Sequence, residues 1–103
     1  METLRERIKS LLMKTKEPLT VDEIALELGV VRENVKDIYE HLKHVAKTIR
    51  RESSGKLALY MLPPVCRSCG YVFKNLNKPR KPSKCPKCGS QRIDPPKFII
   101  SEA

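Results

Sequence analysis

The stretch 66–89, CRSCGYVFKNLNKPRKPSKCPKCG, contains every cysteine of the chain as two C-x2-C pairs with fifteen residues between them. This spacing is typical of a four-cysteine metal site, in which each pair supplies two thiolates to one tetrahedral ion. Gly70 and Gly89 follow the pairs and permit the sharp turns that such a site needs. A redox disulfide would require a thioredoxin-like βαβ context, which the sequence lacks. The predicted ligands of one structural zinc ion are Cys66, Cys69, Cys85 and Cys88. Iron is the alternative, because thiolate sites accept both metals.

The loop between the two cysteine pairs is basic and rich in proline. It contains no acidic residue, and its prolines exclude a helix, so we expect a stiff finger that projects from the metal site. Tyr71 and Phe73, at its start, are expected to pack beside the metal site rather than to stack on bases. The loop is the best single candidate for contact with a nucleic-acid backbone through Lys74, Lys78, Arg80, Lys81 and Lys84.

Length and composition exclude several classes of protein. A chain of 103 residues with no Trp and two Phe allows only a modest aliphatic core, which a metal ion would help to stabilise. The N-terminus alternates charge with Leu and Ile, unlike a signal peptide, and no span has the roughly 20 apolar residues of a membrane helix. These features predict a soluble cytoplasmic protein without membrane contact, where thiols stay reduced. The sequence has no paired carboxylates in a recognisable cleft, no nucleophile–base pattern and no phosphate-binding glycine loop, so we expect no enzyme and no catalytic residue.

The net charge of +9 is concentrated in the second half of the chain. Residues 1–42 carry seven basic and nine acidic side chains, whereas residues 43–103 carry fourteen basic and three acidic ones. A positive field of this size attracts phosphate backbones. A lysine-rich solubilising surface is the alternative explanation.

Three helices are predicted in the first half. The period of Leu4, Ile8, Leu11 and Leu12 predicts a helix over about residues 2–14. This helix is expected to end before Pro18, since proline cannot continue it. The pattern of a capping box, T-x-x-E at residues 20–23, places the next helix start at residue 21, with a glycine stop at residue 29. A third apolar stripe predicts a helix over about residues 31–44.

The segment 21–40, VDEIALELGVVRENVKDIYE, resembles a helix-turn-helix motif. Ala25 would let the two helices approach each other, and Gly29 would form the turn. The third helix would then be the reader of the DNA major groove, with Arg32, Asn34 and Lys36 as its base contacts. Its exposed face also has three acidic residues, which repel phosphates, so we expect this helix to supply specificity more than affinity, or to face a protein.

The following segment, HVAKTIRRESSGKLALYMLP, is predicted to form two short strands around a turn at residues 53–55. Three helices followed by a hairpin is the winged helix arrangement, and Arg50, Arg51 and Lys56 would contact DNA from this wing. Both faces of the strand over residues 57–62 are apolar, so we expect something to cover both. The cysteine module is the first candidate for this cover, and a second subunit is the alternative.

The predicted fold class is therefore α+β: a winged helix-turn-helix over residues 1–64 and a four-cysteine zinc ribbon over residues 65–103, packed on the wing. The segment PPKFII at residues 95–100 is expected to form a last strand that either closes the sheet of the ribbon or pairs with residues 57–62.

The run LGVVRENVKDIYEHLKHVAKTIRR, followed by CRSCGYVFK and CPKCGS, resembles a small family of predicted archaeal transcriptional regulators. In that family a winged helix is fused to a rubredoxin-like zinc ribbon, and the resemblance implies DNA binding and a role in transcription. The chain is also distantly similar to the general transcription factor E alpha subunit, which implies an interaction with RNA polymerase or other transcription factors. The cysteine knuckles further resemble those of rubredoxin, which implies iron and electron transfer as a third hypothesis. The sequence predicts no oligomeric state.

Overall fold

The computed structural model describes the chain except for Met1, Asn75, Asn77 and Lys78. Within the described residues the fold is α+β, with three α-helices, a three-stranded sheet and a two-stranded sheet. A short 3-10 turn at Arg32–Asn34 precedes the last helix. The helices are α1 (Leu4–Lys14), α2 (Val21–Leu28) and α3 (Val35–Glu52), and the strands are β1 (Leu19–Thr20), β2 (Leu57–Leu62), β3 (Val65–Cys66), β4 (Ile93–Asp94) and β5 (Lys97–Glu102).

Helices α1 and α2 confirm the predictions made for them. The Thr3 hydroxyl accepts the Glu6 N–H at 3.2 Å and caps α1, whose Ile8 and Leu12 are fully buried. At α2 the predicted capping box is present, since the side chains and backbone N–H groups of Thr20 and Glu23 bond reciprocally. Gly29 ends α2 with φ +68°, a left-handed conformation that favours glycine.

Helix α3 differs from the prediction at both ends. Regular α-helix begins at Val35 rather than at residue 31, and it continues to Glu52 instead of ending near residue 44. The first strand of the predicted hairpin is therefore wrong. Val45 and Ile49 favour a strand locally, but they extend the buried face of Ile38 and Leu42 at helical spacing, and burial of that face decides the outcome.

A turn after α3 starts strand β2. The Ser53 hydroxyl donates to the Ile49 carbonyl at 2.6 Å and accepts the Leu57 N–H at 2.9 Å, which fixes the exit from the helix. Ser54 and Gly55 have positive φ angles of 56° and 82°. The predicted turn at residues 53–55 is thus present, but it joins a helix to a strand.

Strand β5 lies in the centre of the three-stranded sheet, between β1 and β2. Both pairings are antiparallel, and the register opposes Leu62 to Lys97 and Leu57 to Glu102. This arrangement confirms the expectation that the last strand pairs with residues 57–62. Phe98 of β5 is the largest fully buried side chain and contacts the ring of Tyr39 edge-on at 6.4 Å between centroids.

Strands β3 and β4 form the small sheet of the cysteine module, with Cys66 opposite Ile93. Cys66, Cys85 and Ile93 form a hydrophobic cluster separate from the main core, and Tyr71 and Phe73 pack against it as predicted. The two rings meet edge-on at 5.0 Å. The module therefore has its own small interior.

One face of β2 packs on the helices through Leu57, Leu59 and Met61. On the other face Ala58 is buried, whereas Tyr60 and Leu62 are 43% and 42% exposed. The expectation that both faces are covered is wrong for these two residues, because the cysteine module continues beyond the end of β2 rather than folding back over it. The division of the chain after residue 64 stays a prediction, and β5 crosses it by pairing with β1 and β2. None of the helices in the described part of the chain is long and apolar enough to cross a membrane.

Candidate metal centre and basic surfaces

The four cysteine sulfurs converge on one point. All four Sγ atoms lie within 4.8 Å of one another, and the Cys66–Cys88 and Cys69–Cys85 pairs are each 3.6 Å apart. Four sulfurs around one tetrahedral ion, at bond lengths of about 2.3 Å, would be separated by roughly 3.8 Å. The residues present therefore fit a single tetrahedral metal ion held by four thiolates, as the spacing predicts.

Two turns of the same construction place these cysteines. The Gly70 N–H donates to the Cys66 carbonyl at 2.9 Å, and the Gly89 N–H donates to the Cys85 carbonyl at 2.8 Å. Each glycine has a positive φ, 78° and 76° respectively, so a side chain at either position would be strained. The two C-x2-C turns thus present their sulfurs in equivalent ways.

Cys66 and Cys85 open the two turns, and backbone N–H groups surround their sulfurs. Burial raises the pKa of Cys66, but hydrogen bonds from the Cys69 and Ser68 amides outweigh it and lower the pKa to about 7. The pKa of Cys85 is likewise lowered, as burial is outweighed by the Cys88 and Lys87 amides. Both sulfurs are therefore prepared for the thiolate form that binds metal.

Cys88 lies among the three other cysteine thiols of the site. The Ser90 amide lowers the pKa of Cys88, yet desolvation and the three neighbouring cysteines raise it more, to about 12. A bound cation removes this conflict, since a coordinating thiol is deprotonated outright. With all four positions taken by protein sulfurs, such an ion supplies structural cross-linking and has no open position for a substrate.

Polar contacts join the two turns on the outside of the site. The Ser68 hydroxyl donates to the Ser90 hydroxyl at 2.8 Å, and Arg67 forms an ion pair with Asp94. The Arg67 N–H also donates to the Arg92 carbonyl at 2.8 Å. These bonds add polar contacts between the two segments that carry the cysteine pairs.

The predicted DNA-contacting residues that the structure describes are all exposed, and they belong to several different elements. Arg32, Asn34 and Lys36 are exposed at the 3-10 turn and the start of α3. Arg50 and Arg51 are exposed in the last turn of α3, not on a strand as predicted. The remaining described members are exposed beside β2 or in the loop of the cysteine module, and Lys78 lies outside the described residues: Lys56, Lys74, Arg80, Lys81 and Lys84.

Two basic residues of α3 were missed by the sequence reasoning. Lys43 and Lys47 join Lys36 and Arg50 in a series with steps of seven, four and three residues, which places all four on one side of a helix. Glu40 falls within this side and bonds Lys43 at 3.0 Å. The spacing of these four residues predicts the series from the sequence once α3 is known to continue to Glu52.

A groove of about 380 Å³ lies between this side of α3 and strand β2. Leu42, Phe98 and Met61 contribute to its apolar floor, while Lys43 and Lys47 stand at its edge. Pro79 of the basic loop also lines it, which brings that loop next to α3. The structure thus places the α3 series and the loop on neighbouring parts of one surface, which we call the basic face: Lys36, Lys43, Lys47, Arg50, Arg80 and Lys81.

Two family models match the chain. Residues 3–57 match the model described as PF0610-like, N-terminal, and residues 63–102 match the PF0610 rubredoxin-like zinc beta-ribbon domain. Among solved structures, the chain is similar to the solution NMR structure of protein PF0610 from Pyrococcus furiosus, with 33% identity and a TM-score of 0.72. The match covers 97% of this chain and 90% of that one. No curated protein matches the sequence.

Proposed function

We propose, from the premise that this chain belongs to the PF0610-like family, that it is a DNA-binding transcriptional regulator without enzymatic activity. The observation that carries the proposal is the series of lysines and arginine along α3, next to the basic loop of the cysteine module. Its cations face solvent on one side of the molecule, where a phosphate backbone could reach several of them together.

The order of elements supports a winged helix-turn-helix. Helices α2 and α3, joined through the left-handed Gly29, correspond to the two helices of the motif. Strands β2 and β5 take the place of the two strands of the wing, and the cysteine module is the connection between them. In this assignment α3 enters or borders the major groove, and the loop with Arg80 and Lys81 reaches the adjacent backbone.

The charge distribution supports backbone contact as the main source of affinity. The described ion pairs engage Lys9, Lys43 and Arg67, and of these only Lys43 belongs to the basic face. Unpaired surface cations attract polyanions at low salt and are screened as salt rises. Base contacts from Arg32, Asn34 and Lys36 would add specificity at one end of α3.

Zinc is the metal that we assign to the four-cysteine site, in a structural role. The closed set of four thiolates and the zinc ribbon named in the matching family model support this choice. Electron transfer by iron is the competing assignment. Purified protein that is colourless and contains one equivalent of zinc would exclude it.

A salt titration on random-sequence duplex DNA tests the proposal. We expect the wild-type affinity to fall steeply with salt, since each phosphate contact adds about 0.9 to the slope of log K against log salt. The triple variant Lys43→Gln, Lys47→Gln, Arg50→Gln should bind more weakly at low salt. Its slope should be smaller by up to roughly 3, because three contacts are removed.

The matched control neutralises three exposed cations of α1 and the segment that follows it: Arg5→Gln, Lys14→Gln and Lys16→Gln. It removes the same total charge from another part of the molecule, so a general loss of positive charge would affect both variants alike. Absence of wild-type binding at low salt contradicts the proposal, as does an equal loss in the two variants.

A second candidate function is favoured by the exposed apolar side chains of the large sheet. Tyr60 and Leu62 stand on its outer face, away from the basic face. Such a patch suits a protein of the transcription machinery, for example an RNA polymerase subunit. A pull-down that recovers polymerase subunits despite nuclease treatment, and that fails with Tyr60→Ser and Leu62→Ser, would favour this role over direct DNA binding.

A further inference from the structure

The central strand of the three-stranded sheet follows the cysteine module in the sequence. Strand β5 pairs with both β1 and β2, and it contributes Phe98, which is fully buried in the helical core. The 34 residues from Pro63 to Pro96 connect β2 to β5, and they include all four cysteines. The core of the first half of the chain is therefore completed by a strand that follows the metal site.

The two junctions between the module and the large sheet are short and stiff. Pro63-Pro64 leads from β2 into the module, and Pro95-Pro96 leads back to β5. Proline restricts φ and also restricts the residue before it, so a pair of prolines leaves little freedom. Pro64 and Pro96 are fully buried, and the Pro64 carbonyl accepts the Phe73 N–H of the module at 3.0 Å.

The register continues across these junctions. Leu62 lies opposite Lys97 in the large sheet, and Val65 lies opposite Asp94 in the small one. A folded module thus holds the segment that enters it next to the segment that leaves it, at the place where β2 and β5 pair. Without it, the same pairing would have to close a loop of 34 residues, which costs chain entropy that the folded module has already lost.

We propose that metal occupancy of the four-cysteine site controls the pairing of β5 with β1 and β2, and through Phe98 the packing of the helical core. Metal binding stabilises the module, and the diproline junctions pass this order to β5. Loss of the metal releases β5, so that Phe98 leaves the core and β2, on which α3 packs, loses its partner.

The same coupling makes the basic face sensitive to metal, a consequence that rests on the proposed function. The groove beside the α3 series is lined by Met61 of β2, Phe98 of β5 and Pro79 of the loop. Release of β5 removes the floor of this groove and separates the loop from α3. DNA binding then requires the metal even though the metal touches no DNA.

Amide hydrogen exchange on the full-length chain tests the coupling directly. The zinc-loaded protein is compared with protein treated with a chelator and a non-thiol reductant, which keeps the cysteines as thiols. We expect amides in β2, β5 and α3 to exchange at least tenfold faster without zinc, and to recover when zinc is added back. If only amides of the cysteine module, such as Gly70 and Gly89, exchange faster, the proposal is wrong.

The reverse experiment uses the reciprocity of coupled equilibria. The substitution Phe98→Ala lies outside the metal site, yet it should weaken zinc affinity at least tenfold in competition with a chelator. Phe98→Leu keeps most of the apolar volume and should lose less. Leu26→Ala, at a side chain of α2 that is 83% exposed and outside the sheet, should leave zinc affinity within about twofold of wild type.

The two proposals fail in distinguishable ways. Wild-type zinc affinity in Phe98→Ala overturns the coupling, including the case in which its helices are unfolded. A tenfold loss of zinc affinity in a protein that never binds duplex DNA supports the coupling and contradicts only the DNA-binding proposal.

Discussion

Thr20 and Glu23 start helix α2 and tie it to the sheet. The Thr20 hydroxyl accepts the Glu23 N–H at 3.1 Å, and the Glu23 carboxylate accepts the Thr20 N–H at 3.0 Å. The hydrogen bond from the Thr20 backbone N–H holds the pKa of Glu23 below its ordinary value, because it stabilises the charged form of the carboxylate. Thr20 also lies opposite Lys97 of β5, so this cap positions both a helix and a strand.

Removal of the capping hydroxyl should be measurable. We expect Thr20→Ala to lower the free energy of unfolding by about 1 kcal/mol, because the Glu23 N–H loses its partner. Thr20→Ser retains the hydroxyl and should stay close to wild type. Denaturant unfolding at neutral pH measures both, and equal stability of the two variants would contradict the role of the cap.

Glu23 adds a dependence on pH whose sign follows from its lowered pKa. Stabilisation by the charged carboxylate is fully present above the unfolded pKa and is lost as pH falls through the lower folded pKa. Between about pH 7 and pH 3, wild type should therefore lose more stability than Glu23→Gln, which cannot ionise. Parallel loss in the two proteins over this range would show that the carboxylate does not contribute.

Helix α3 contributes both to the hydrophobic core and to the basic face. Its buried face holds Ile38, Leu42, Val45 and Ile49 in the core, and another side bears the basic series. The helix is long enough to carry Lys36 in its first turn and Arg50 in its last. The spacing of the proposed backbone contacts is therefore set by one rigid element.

A substitution near the end of α3 tests whether its last turns contribute to the core. Ile49 is 2% exposed, so Ile49→Ala should cost about 2 to 5 kcal/mol of unfolding free energy. His44→Ala, on the exposed side of the same helix, should change it by no more than about 0.5 kcal/mol. Similar small effects at both positions would mean that the last turns of α3 are not packed.

Local signals in the sequence predicted much of this structure. The capping box at Thr20, the left-handed turn at Gly29 and the spacing of the cysteines each depend on a few neighbouring residues, and each is confirmed. The predicted end of α3 near residue 44 is wrong, because Val45 and Ile49 have a strand propensity that packing in the core overrides. The helical spacing of Val45 and Ile49 after Leu42 indicates the longer helix.

The central position of β5 could not be derived in the same way. Phe98 is buried by residues from elements far away in the sequence, and its strand was predicted with two alternative partners. The closeness of Pro79 to α3 is also a product of the assembled fold. Contacts between distant segments leave no local pattern, so the position of the basic loop beside α3 is visible only in the structure.

At the scale of the whole molecule, the shared strand predicts one cooperative unit. Unfolding of the zinc-loaded chain, followed by far-ultraviolet circular dichroism for the helices and by thiolate–metal absorbance for the site, should give coincident transitions. The reason is that β5 joins the helical core to the cysteine module through Pro95-Pro96. Release of the metal well below the melting of the helices would show two independent units.

The place of β5 in the sheet also has a consequence during protein synthesis. This strand is translated after β1 and β2, the two strands that it separates, with 34 residues between Leu62 and Lys97. At a translation rate of about 5 to 20 residues per second, Phe98 is added roughly two to seven seconds after β2 has been made. The helical core is incomplete during that interval. The cysteines appear within this interval, so the nascent chain can capture its metal before its first half is able to finish folding.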